Sequence, residues 1–148
     1  NEQEQNKVKA SKAMTILLGK EGSVYYYMGE PDYENPDMVQ ETDFSPNGLR
    51  AILLGRNQVV MQKIRELKQK KANLEISNEE YLKEAAEIRK DKDSPVILIK
   101  ATDFANYKNL IDVLDEMQIC NIGRYAIMDI TPGDLRLLQD KTTGMPMI

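Results

Sequence analysis

Carboxylates are the residues with the most obvious chemical potential in this chain. Between Asn106 and Asp134 the sequence reads NYKNLIDVLDEMQICNIGRYAIMDITPGD, with five acidic residues in twenty-nine positions. Asp112, Asp115 and Glu116 fall at spacings that share a helix face, and paired carboxylates perform acid–base chemistry when their surroundings separate their pKa values. The same wheel places Lys108, Asn109, Asp112, Asp115 and Glu116 opposite an apolar stripe of Tyr107, Leu110, Ile111, Leu114 and Met117. That pattern predicts a solvated, ion-paired face rather than a catalytic pair. Asp129 differs, because it sits near the carboxyl end of an expected parallel strand, where α/β sheets place ligands, with Asp134 five residues later. An enzyme acting through Asp129 and Asp134 is a third-ranked reading. A single Asp before Thr-Pro-Gly more often caps a turn.

Composition removes most other chemistry. With no histidine and the single cysteine Cys120, the chain can form no Ser-His-Asp triad, no Cys-His pair, no His-containing zinc site and no internal disulfide. No cofactor or metal is expected, and the chain reads as a non-enzyme. A net charge of −4 disfavours nucleic acid as partner. LLGKEG and GLRAILLGR lack the spacing of a phosphate loop. Lys63, Arg65, Lys68, Lys70 and Lys71 read as the wet face of an amphipathic helix. No run approaches the roughly 20 apolar residues of a membrane span.

The elements that must position any site follow from periodicity and punctuation. Residues 1–12 read as a polar linker, residues 13–138 as one domain, and residues 139–148 as a flexible tail. AMTILLG and SVYYYMG, joined by KEG, predict a β-hairpin in which Gly22 takes positive φ. Residues 30–45 read as a long loop insertion, with six acidic residues between Glu30 and Asp43. Ser45-Pro46 signals a helix start, and Leu49, Ile52, Leu53, Val60, Ile64 and Leu67 continue it with a bend near Gly55. Ser77 and Glu80 form a capping box for an extra helix over 77–92, packed at the periphery. VILIK is a central-strand run, Thr102 or Asp103 a helix cap, Asn121 or Gly123 a helix stop, and RYAIMDI another strand. TPGD reads as a turn and LRLLQ as a short terminal element. The order ββααβαβ predicts an α+β fold, a small mixed β-sheet with helices packed on one face. Tyr25, Tyr26 and Tyr27 alternate sides, so an aromatic outer face is expected, partly covered by the acidic loop or open to a partner.

From Ala13 to Leu138 the chain resembles the periplasmic domain of the ExbD/TolR family of biopolymer transport proteins. The likeness is carried by AMTILLGKEGSVYYYMGE, by GLRAILLGRNQVVMQKIRELKQKK and, most closely, by SPVILIKATDFANYKNLIDVLDEMQICNIGRYAIMDITPGDLRLL, which is similar to members from Bacteroidetes-type bacteria. The resemblance implies an inner-membrane protein anchored by an N-terminal helix that this chain lacks, carrying the aspartate of a proton path formed with an ExbB-like channel subunit. It also implies a homodimeric periplasmic part that contacts a TonB-like protein and couples proton flow to outer-membrane transport. The alternative is a TolR-like domain that binds peptidoglycan. Shorter members lack the acidic loop and the extra helix. A coupling domain needs an exposed edge or groove rather than a nucleophile, and the hairpin strand Val24, Tyr25, Tyr26, Tyr27 and Met28, or an edge created by strand exchange in a dimer, is the expected partner-binding edge.

Overall fold

A computed structural model describes residues 13–142; the linker 1–12 and the end of the tail, 143–148, lie outside the described residues. β1 (Ala13–Leu18) and β2 (Val24–Met28) form the expected hairpin. Its turn places Glu21 at φ 56° and Gly22 at φ 78°, the left-handed region that a glycine enters without a Cβ clash. β1 then pairs in parallel with β4 (Val96–Ala101), and β4 in parallel with β5 (Tyr125–Asp129). A short strand inside the acidic segment, β3 (Gln40–Thr42), joins β2 antiparallel. The mixed sheet therefore runs β3-β2-β1-β4-β5.

The fold class is the α+β arrangement read from the sequence, with a five-stranded mixed sheet and five helices. Two details differ. Residues 30–45, expected as loop, carry a short helical turn at Pro36–Met38 and then β3, whose backbone satisfies the outer edge of β2. Helices also cover both faces of the sheet. α1 (Leu49–Arg56) and α4 (Tyr107–Ile119) lie on one face, over Met14, Ile16, Leu18, Val24, Ile97 and Ile99. On the other, α5 (Pro132–Lys141) seats Leu137 and Leu138 on Leu17, Tyr25, Tyr27 and Val39. The expected turn at Thr-Pro-Gly-Asp is the start of α5: Thr131 caps, Pro132 opens the first turn, and Asp134 closes a capping box. The helix runs to Lys141, into the stretch expected to be tail.

α2 (Gln58–Ala72) and α3 (Asn78–Arg89) form an antiparallel arm with its own apolar cluster of Val60, Ile64, Leu67, Tyr81 and Ala85. The bend expected near Gly55 falls at Asn57, whose Nδ2 donates to the backbone carbonyls of Cys120 (2.8 Å) and Asn121 (3.1 Å). The Ser77–Glu80 capping box is present as read. Two other caps move. Ser45 bonds Asp43 instead of starting a helix, and α1 begins at Leu49 after Gly48, where a Cβ would strike Asp43. Asn106, not Thr102 or Asp103, caps α4. Asn121, at φ 56°, marks the stop of that helix as expected.

Separate apolar clusters predict separable responses. Ile99→Ala, at the centre of the sheet, should cost about 3 kcal/mol of global stability by urea unfolding. Ile64→Ala should instead accelerate amide exchange along α2 and α3 and leave β1 and β4 protected as in the wild type. Equal loss of protection in arm and sheet would show one cooperative unit.

Candidate partner-binding surface

None of the candidate carboxylate pairs assembles. Glu116, placed by the wheel in solvent, is buried and receives a two-pronged hydrogen bond from Arg50 of α1: Nε to Oε2 at 3.0 Å and Nη2 to Oε1 at 2.8 Å. The core-facing stripe of α4 is Val113, Met117 and Cys120, fully buried, with Leu110 and Leu114 half-buried beside them; it is rotated from the predicted one, so Tyr107 is 75% exposed while Asn109 is buried. Pairing with Arg50 is what permits a carboxylate on the inner flank. Asp112 is half-buried and Asp115 exposed. Cys120 lies in the core, and burial together with the Glu116 carboxylate pushes its thiol up to about 11, away from reactivity.

Asp129 and Asp134 separate completely. Asp129 is exposed at the end of β5, whereas Asp134 is fully buried beneath α5. Lys100 Nζ, from β4, donates to Asp134 Oδ2 at 2.6 Å, and Tyr27 OH, from β2, donates to Oδ1 at 2.7 Å. Thr131 Oγ1 donates to Oδ2 at 2.9 Å. Burial alone would raise this carboxyl, but the hydrogen bonds from Lys100, Tyr27 and Thr131 outweigh it and hold the group below its ordinary range. Tyr27 is driven the other way, its phenol raised first by burial and then by the Asp134 carboxylate. Every prong of the network is spent inside the protein. It is a tie between α5 and the sheet, not an open site.

The expected partner strand is also largely enclosed. β2 pairs with β1 along its whole length and with β3 at Val24, Tyr25 and Tyr26, so only Tyr27 and Met28 run past β3. Val24, Tyr25 and Tyr27 are buried, Tyr26 is half-buried, and Met28 alone is exposed. The aromatic face expected outside is covered, by α5 and by Val39 at the end of the acidic segment.

The open edge lies at the opposite side of the sheet. All five residues of β5 are exposed, and three are large and apolar: Tyr125 (46%), Ile127 (54%) and Met128 (47%). Its pairing with β4 uses one backbone edge, and among the described residues β5 is the last strand of the sheet. Register with Ile97 and Ile99 puts Tyr125 and Ile127 on the α4 side; Ala126 and Met128, opposite Leu98 and Lys100, take the α5 side. At its start a cleft of about 390 Å³ opens between Tyr125 and the Leu114, Gln118, Asn121 and Arg89 side chains. An unpaired five-residue edge with apolar side chains and no proline is the physical requirement for accepting an extended segment as a further strand. The sequence did show RYAIMDI as a strand. Its position as last in a parallel series was the available signal that it ends the sheet.

The sheet thus leaves the β5 edge open, while the buried carboxylates of Glu116 and Asp134 are taken up by internal ties. The chain belongs to the ExbD/TolR family: a family model described as biopolymer transport protein ExbD/TolR matches residues 1–129. No curated protein and no solved structure matches it. Family membership implies a role in the energy transduction of biopolymer transport, and members of the family work in complexes with ExbB- or TolQ-type and TonB- or TolA-type proteins. Family members are anchored in the inner membrane and carry a periplasmic domain. Among the described residues no helix is long and apolar enough to cross a membrane.

The Asp134 tie has a calculable signature. Asp134→Ala leaves the Lys100 ammonium buried without its partner and should cost about 3–5 kcal/mol. Because the folded carboxyl titrates below the ordinary 3.8, its contribution is fully present above that value and fades as pH falls through the folded pKa. The stability gap between wild type and Asp134→Asn should therefore be constant from pH 5 to 7 and narrow below about pH 4. A gap that widens on acidification would contradict the tie.

Proposed function

We propose that this is the periplasmic energy-transduction domain of a TonB–ExbB–ExbD type system, of the Bacteroidetes kind, driven by the proton motive force. Working beside an ExbB-like channel subunit, it couples proton flow to outer-membrane transport by receiving an extended segment of a TonB-like protein. The free β5 edge is the observation that carries the reading, since no other five-residue backbone edge among the described strands is unpaired. The segment adds backbone hydrogen bonds along Tyr125–Asp129 and sets apolar side chains against Tyr125 and Ile127 on one face and Met128 on the other. Its action is binding rather than catalysis. The working unit is a homodimer that pairs through surfaces other than β5.

Peptides tiling the periplasmic region of the TonB-like proteins of the same genome provide the test, titrated into isotope-labelled protein. Amide shifts should concentrate on Tyr125–Asp129 and on β4, and Ile127→Lys should weaken binding at least tenfold. Shifts confined to Lys63–Lys71, or to Val24–Met28, would place the partner elsewhere. Loss of the dimer on peptide addition would mean that β5 pairs with a second copy. The TolR-like alternative predicts retention on purified sacculi that Ile127→Lys does not alter.

A further inference from the structure

β5 buries none of its five side chains, so its place on the sheet must be secured by something other than a core of its own. Two ties flank it. At the entry, Arg124 Nη1 donates to the backbone carbonyls of Asp91 (3.2 Å), Lys92 (2.8 Å) and Ser94 (3.2 Å), while the Arg124 carbonyl accepts from Ile97 N–H at 2.9 Å. At the exit, only Ile130 and Thr131 separate β5 from α5. α5 is seated by Leu137, Leu138 and the Asp134 carboxylate, and that carboxylate grips Lys100. Lys100 is the β4 residue paired with Met128 of β5. The buried ion pair thus anchors the helix to the sheet one strand away from the position where the edge strand is laid down.

Resting on the reading of β5 as the acceptor edge, we propose that α5 controls it: docking of Asp134 on Lys100 and Tyr27 holds β5 in register, and release of α5 abolishes the acceptor while the rest of the sheet stays folded. The segment has the character of an element that opens on its own. Its apolar anchorage is two leucines, and a buried ion pair adds specificity of seating more than net stability. β1, by contrast, is buried along its full length and is not expected to follow. The family match ends at Asp129, so the helix that exerts this control lies outside the matched region.

Hydrogen exchange on the full chain, read by mass spectrometry, tests the coupling without any ligand. In Asp134→Asn, segments 124–129 and 132–141 should both exchange at least tenfold faster than in the wild type, with 13–18 unchanged. The apolar triple variant Tyr27→Phe, Lys100→Met, Asp134→Leu, which removes the two buried charges and the phenol hydroxyl that donates to Asp134, should restore protection to both segments. Should Asp134→Asn fail to fold, Leu138→Ala provides the same comparison. Accelerated α5 beside an unchanged β5 overturns the proposal, as does an α5 that keeps its protection or a loss of protection that includes β1. The tiled TonB-like peptides supply a second readout: affinity should fall at least fivefold in Asp134→Asn and recover in the triple variant. If the wild type binds no peptide, the acceptor reading fails, while the exchange data still decide whether α5 holds β5.

Discussion

β1 is buried on both faces over all six of its residues, and that one constraint propagates through the whole domain. A strand enclosed in this way needs a layer above and a layer below. α1 and α4 supply the first, on Met14, Ile16 and Leu18. The second layer falls to α5 and the Met38–Val39 corner, which cover Leu17 and the two tyrosines of β2. The ten residues of α5 cover β1 and β2 but leave all five residues of β5 exposed. β3 shields one margin with three residues, and β5 is left as the other, open edge.

Covering the second face brings charge indoors. Lys100 sits in a run of apolar strand residues and faces the layer that α5 must close. An ammonium there would be costly unless paired, and Asp134 arrives on the first turn of α5 to pair it, with Tyr27 and Thr131 taking up the remaining carboxylate capacity. The Arg50–Glu116 pair solves the same problem on the other face, tying α1 to α4 at the flank of the core. In both cases a carboxylate that could suggest chemistry is consumed by architecture.

How much of this was legible depends on range. Local signals read well: the hairpin turn at Gly22, the Ser77–Glu80 box, the VILIK strand and the Asn121 stop all depend on neighbours within a few residues. Signals were also present and overlooked. Thr-Pro-Gly-Asp has the N-cap, first-turn proline and N3 acid of a helix start, yet Gly133 inside it reads as a turn; the glycine is there because Tyr33 packs where a Cβ would sit. Lys100 in an apolar run was a sign of a buried partner. The site was less legible. That β2 is interior follows from β3, three polar residues (Gln40–Thr42) with no β-branched or aromatic run, which form a strand only because β2 offers an edge. The wheel of α4 was misaligned for a similar reason, since Glu116 turns inward only where Arg50 waits, sixty-six positions away.

An open apolar edge is ordinarily a liability, since it invites association with any unpaired strand, and proteins blunt such edges with charge, proline or cover. β3 follows that rule, being short, acidic and bordered by proline-containing turns. β5 breaks it over five residues, with only Asp129 at its end to discourage pairing. The two edges of one sheet are treated in opposite ways, and that contrast, with Tyr125, Ile127 and Met128 exposed on β5, supports the acceptor role proposed for it. The acceptor role proposed for β5 asks for a contact that forms along the backbone, spreads over several hydrogen bonds and can be dismantled as a unit. A strand laid on β5, secured by a helix that is itself tied through one buried ion pair, satisfies all three conditions.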